Sequence, residues 1–162
     1  MTEMIELSKK YCKDKHYGIN RRNKTPYYEH SFRVAELVSK LTKDEDVITA
    51  AYLHDVLEHG NGTEKEINDL FNENVLDLVK EMTNDNELIK IKGKLKYLVD
   101  KINSMSEDSL LIKLCDRYDN LIDLGSKPSY SVETTKLIKN IDRSLNKSHK
   151  KIVDLIKAVT TN

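Results

Sequence analysis

The chain has 162 residues, the size of one domain, and is long enough to bury a core without disulfide or zinc staples. Charged residues make up 33%, with 27 Lys+Arg against 27 Asp+Glu, so the formal net charge is zero. A general nucleic-acid or membrane-surface binder carries a basic excess that is missing here. Cys12 and Cys115 are too few and too far apart for a disulfide framework, and Cys115 reads as a buried small hydrophobe. No apolar stretch approaches the roughly 18 residues that span a bilayer, and the acidic start lacks the apolar run of a signal peptide. A soluble, cytoplasmic protein is expected.

Two prolines, five glycines and abundant Leu, Ile, Lys and Glu predict an all-α chain. A first helix is expected from about Ile5 to Lys15. Thr25-Pro26 reads as N-cap and first helical position of the next, which carries Val34, Leu37, Val38 and Leu41 at amphipathic spacing, with His30 one turn before Val34. Thr42 and Glu45 suggest a capping box for a helix from Asp44 to about His59, apolar nearly all round from Val47 to Leu53. Gly60-Asn61-Gly62 breaks it, and Thr63 with Glu66 suggests a second box. Further helices are expected over Val75–Met82, Glu87–Ile102, Asp108–Leu124 (stopped by Gly125) and about Val132–Val159. Strand-like alternation, repeats and low-complexity linkers are missing, so one domain is expected throughout.

Four residues of metal-ligand type stand out: His30, the adjacent pair His54-Asp55, and Asp116. Imidazole nitrogens and carboxylate oxygens suit divalent ions such as manganese, iron or zinc. Neighbours on a helix point about 100° apart, so His54 and Asp55 reach one ion only at a bend or near a helix end. Taken alone, His30 beside an apolar stripe also reads as a hydrogen-bonded core histidine, and Asp116 as a partner of Arg117 or Lys113. Together in apolar surroundings, such groups are costly to bury unpaired, and one metal satisfies all of them.

Several segments resemble the RelA/SpoT-type HD-domain hydrolases. Tyr27-Tyr28-Glu29-His30-Ser31 with Val34-Ala35, the run Ala50 to His59 around His54-Asp55, and Leu114-Cys115-Asp116-Arg117-Tyr118-Asp119-Asn120-Leu121 carry the likeness, and His16-x-Gly18 with Arg21-Arg22 precedes them. Phe71, Val75 and Thr83 also fall at the family's positions. The likeness runs from about His16 to Leu124 and is closest to the small stand-alone, Mesh1-like type. It implies an HD-domain helical bundle that removes the 3′-pyrophosphate from guanosine tetra- or pentaphosphate (ppGpp, pppGpp), the alarmones of the stringent response, with manganese. By position, His30, His54, Asp55 and Asp116 would hold the metal. Glu58 would orient or deprotonate the attacking water, Asn120 would contact the nucleotide sugar, and Arg21 and Arg22 would line the nucleotide pocket. The 2′-phosphate of NADPH is an alternative target that the same family implies.

The residues suit this chemistry on their own terms. Glu58 follows His54 by one helical turn and Asn120 follows Asp116 by one turn. Arg21 and Arg22 supply fixed charge and planar donors for a polyanion, although outside the motif they read as a solvated loop pair. Two departures matter. His59 stands where the family has a second carboxylate, which leaves open an active enzyme with altered pH dependence, a slowed one, or an attenuated nucleotide- or metal-binding protein. Ser31 stands where the family has proline, a change in helix geometry more than in chemistry. Lys136, Lys139 and Arg143, and the Lys90-Lys92-Lys94-Lys96 run, read as solvated faces.

Overall fold

The computed structural model describes residues 2–123 and 127–160, so the expected helix stop at Leu124 and Gly125 lies outside the described residues. Among the described residues there are ten helices and no strand, as composition predicts; extended backbone pairs only in an isolated bridge between Asn20 and Pro26. The chain divides into two compact units, Met1–Thr83 and Asn84–Asn162.

The first unit holds α1 (Glu3–Lys15), α2 (Tyr27–Leu41), α3 (Glu45–Leu53), α4 (Glu64–Leu70) and α5 (Glu73–Met82). The α1 helix begins two residues earlier than expected because the Thr2 hydroxyl accepts from the Ile5 N–H at 3.3 Å and satisfies an orphan donor of the first turn. Thr25 does not cap α2. Its hydroxyl donates to Asn23 Oδ1 at 2.6 Å and its carbonyl accepts from the Arg21 N–H, closing a tight turn in which Lys24 takes φ 68°. Pro26 is therefore the cap and Tyr27 the first helical residue.

At α3 the cap is Asp44, whose carboxylate accepts from Asp46 and Val47, while Thr42 Oγ1 accepts from the Asp44 N–H. All residues from Val47 to Leu53 are buried, and α3 packs on α1, α2 and α5, so it is the central helix of its unit. It ends at Leu53, six residues before the expected His59. The Val56 N–H reaches back only to Leu53, and residues 54–59 run on as turns. The Thr63 box forms by half: Thr63 Oγ1 accepts from the Glu66 N–H at 3.2 Å, but Glu66 turns to the Tyr11 hydroxyl and Lys15.

The second unit holds α6 (Asn86–Lys92), α7 (Lys94–Ser104), α8 (Glu107–Asp123), α9 (Pro128–Lys139) and α10 (Lys147–Thr160). The single helix expected over Glu87–Ile102 is two, because Gly93 adopts φ 85° and cannot continue a right-handed helix. The long helix expected to Val159 also breaks, ending at Lys139 with Asn140 as cap. Arg143, expected on a solvated face, instead donates to the carbonyls of Ile102 and Met105 at 3.0 and 2.5 Å. The helix α8 packs on α10 and α9, with Ile152, Val153 and Ile156 of α10 buried. His149 is a satisfied core histidine: Nε2 donates to the Glu107 carbonyl and Nδ1 accepts from the Asn146 N–H. The lysine run is exposed and paired, Lys90 with Glu87, Lys92 and Lys96 with Asp100, and Lys94 with Glu133.

Candidate metal centre

The early end of α3 places two neighbouring side chains at one point. His54 is the C-cap and keeps right-handed helical backbone (φ −57°, ψ −27°), and its ring and the Asp55 carboxylate reach one point at the helix end. His54 Nε2 then lies 3.2 Å from Asp55 Oδ2, and His30 Nε2, from α2, lies 3.7 Å from the same oxygen. One ligand atom from each of the three residues falls within 4.8 Å of the others. His30 and His54 are 1% and 0% exposed, so these groups meet out of bulk water.

The tautomer of His54 follows from its other nitrogen. Nδ1 is 2.8 Å from the Ala51 carbonyl, which can only accept, so Nδ1 carries the proton and donates. In the neutral ring, Nε2 then presents a lone pair to the Asp55 carboxylate oxygen. Two acceptors at this distance in a buried site need a proton or a cation to hold them together. A backbone carbonyl orienting the far nitrogen of a histidine is also the usual arrangement behind a metal ligand. The donor set fits a divalent cation of borderline softness.

Around these atoms, Tyr27 donates its hydroxyl to Asp55 Oδ2 at 2.8 Å. Glu58 Oε2 lies 2.7 Å from His59 Nε2, with the His59 side chain 48% exposed and Glu58 19%. Glu58 sits in the turn after α3 rather than on the helix, contrary to expectation. Arg21 is buried with its guanidinium carbon 5.4 Å from the Tyr27 ring centre, whereas Arg22 is exposed. In the second unit, Asp116 is buried on α8, 3.6 Å from Lys113 and accepting from Asn120 Nδ2 at 3.2 Å. Asn120 also donates to the Tyr130 hydroxyl, and Tyr130 lies under Arg117, 4.1 Å from ring centre to guanidinium carbon. Sequence reasoning misses the contact of Tyr27 with Asp55; the three-residue offset of Tyr27 from His30, on one helical face, is the available signal.

The family model described as HD domain matches residues 8–146. The chain belongs to the HD-domain family. This HD-domain chain is 38% identical over 95 residues to the guanosine-3′,5′-bis(diphosphate) 3′-pyrophosphohydrolase of Aquifex aeolicus, covering 59% of the chain and 13% of that protein. It is 36% identical over 88 residues to the enzyme of the same name, MESH1, of Xenopus tropicalis, covering 52% of the chain and 49% of that protein. The alignment therefore spans about half or less of the relatives' own length. Among solved structures, one described as a metazoan ortholog of SpoT that hydrolyzes ppGpp and plays a role in starvation responses superposes with a TM-score of 0.82. It is 27% identical and covers 98% of this chain and 96% of its own. A Listeria monocytogenes EGD-e protein, 20% identical with a TM-score of 0.68, shares the fold.

Proposed function

We propose that this HD-domain chain is a metal-dependent phosphohydrolase that removes the 3′-pyrophosphate of guanosine tetra- or pentaphosphate. The observation that carries the metal reading is the His54 tautomer, set by Ala51, with Nε2 facing the carboxylate of Asp55 beside His30. The substrate reading is supported by the activity for which the similar proteins are named. Asp116 is proposed as the fourth ligand and manganese as the metal. The family match runs across the boundary between Thr83 and Asn84, which supports reading both units as one functional domain.

A bound divalent cation lowers the pKa of its water and polarises a phosphoryl oxygen. The chain's own groups do the rest of the proposed chemistry. Glu58 accepts the proton of the attacking water, and the half-exposed His59, 2.7 Å from its carboxylate, releases that proton to solvent. Arg21 and Arg22 hold the phosphates through planar charged donors. Asn120, oriented by Asp116 and Tyr130, addresses the sugar beside the departing pyrophosphate.

The test is pyrophosphate release from guanosine 3′,5′-bis(diphosphate) by purified protein with manganese, against a chelator control. Metal-dependent release is the expected result; bound nucleotide without release overturns the catalytic reading. One observation favours that second reading, an attenuated binding protein: the half-exposed His59 stands where the resemblance places a carboxylate. A large gain in turnover for His59→Asp would support it. NADPH is the comparison substrate, and release of its 2′-phosphate in preference to pyrophosphate would replace the alarmone assignment.

A further inference from the structure

Tyr27, outside the ligand set, touches it, and His16 in turn supports Tyr27. Tyr27 precedes His30 by three residues on α2, so both rings leave the same helical face, edge to face with centroids 6.1 Å apart. The oxygen that accepts the Tyr27 hydroxyl is Oδ2 of Asp55, the one that also faces His54 and His30. The Tyr27 ring in turn lies on His16, with centroids 4.9 Å apart and planes 25° from parallel.

His16 is an unusual support. It caps α1, is 2% exposed, and neither ring nitrogen has a hydrogen-bond partner among the described residues. A buried imidazole with both nitrogens unpaired carries a desolvation cost that His149 avoids. Its contact is the flat face against Tyr27. Gly60 leaves room for the ring and for the chain beside it: a Cβ there would meet His16 Cε1 and the Val56 carbonyl oxygen at 3.0 Å and His16 Nδ1 at 3.1 Å. The adjacent Asn61 N–H donates to the Lys15 carbonyl at 2.9 Å, pinning this loop to the end of α1.

We propose that Tyr27 is a positioning residue for the metal ligand Asp55, with His16 as the plate that sets the angle of its ring; this rests on the metal reading above. Asp55 lies in a turn, where the helical ladder no longer directs its side chain. A hydrogen bond from a stacked phenol occupies one lone pair of Oδ2 and turns the carboxylate toward the two histidines, while leaving it acceptor capacity for a cation. Phenylalanine at 27 keeps the ring and its stack and removes only the hydroxyl, so it isolates this contact.

The experiment is calorimetric titration of chelator-stripped protein with Mn2+, for the wild type, Asp55→Ala and Tyr27→Phe. Loss of an orienting partner is expected to weaken Mn2+ binding about 10- to 100-fold in Tyr27→Phe. The melting temperature of the metal-free protein should change little, and excess Mn2+ should restore kcat without altering the nucleotide KM. Tyr27→Phe affinity within about twofold of a wild type that binds Mn2+ overturns the proposal alone. A wild type that binds no Mn2+ overturns the metal reading and this proposal with it. Should Tyr27→Phe not yield folded protein, His16→Leu decides: loss of the flat ring under Tyr27 should weaken Mn2+ binding, and unchanged affinity overturns the proposal.

Discussion

The carboxylate of Glu58 and the imidazole of His59 form a contact at 2.7 Å that neither residue makes by helical spacing, since both lie in the turn after α3. If this pair handles the proton of the attacking water, Glu58→Ala should retain Mn2+ by calorimetry and lose about 10²- to 10⁴-fold in kcat. Retained turnover would remove Glu58 from the mechanism. His16 makes a different prediction. Burial holds its imidazole down at about 4, against the opposing pull of Asp55. Unfolded, it titrates near the ordinary value of about 6.5. Between these values the unfolded chain binds the proton and the folded chain does not. Stability from this group is therefore full above about pH 6.5 and falls as pH drops toward about 4, by on the order of 2–3 kcal/mol. Urea midpoints of metal-free protein across this range should show the loss, and His16→Phe should shrink it.

At the scale of elements, most helix positions follow from local chemistry, and the misplacements have local causes. Asp44 and Thr42 are both plausible caps two residues apart, and the choice fell to the residue whose carboxylate reaches two N–H groups at once. Gly93 carries a readable signal inside Glu87–Ile102, a span expected as one helix. At φ 85° and ψ 148° it sits where side-chain-bearing residues are strained, yet a Cβ there would meet nothing within 4 Å. Gly93→Ala should therefore cost about 1–3 kcal/mol by backbone strain alone, read as a lower urea midpoint. An unchanged midpoint would mean that α6 and α7 can rejoin or shift at little cost. The break after Lys139 had no such marker; Asn140 and the carbonyl contacts of Arg143 appear only once the helices are in place.

For the whole molecule, the proposed metal binds the folded chain and not the unfolded one, so it should raise global stability by mass action. At 100 times its Kd, Mn2+ should add about 2.7 kcal/mol, seen as a rise in the thermal midpoint. Asp55→Ala should abolish that rise; a rise that persists would place the ion elsewhere. Among the described residues no helix is long and apolar enough to cross a membrane, in keeping with the charged composition. The division at Thr83 and Asn84 was invisible in the sequence because no linker of distinctive composition marks it. It arises from which distant residues touch, and composition does not report that.

The sequence by itself determined the helical class, the residue types able to bind a divalent cation, and the family, because these rest on composition, spacing and short motifs. Tertiary structure decided the rest. It ended α3 at Leu53 and set the adjacent His54 and Asp55 side chains 3.2 Å apart at the helix end. It fixed the His54 proton on Nδ1 through the Ala51 carbonyl, and brought Tyr27 from α2 to Asp55 and the end of α1 to Tyr27. The physical reason is that a ligand's direction depends on where its helix stops and which distant groups claim its hydrogen bonds. Both are set by packing between elements, and a one-dimensional pattern carries neither.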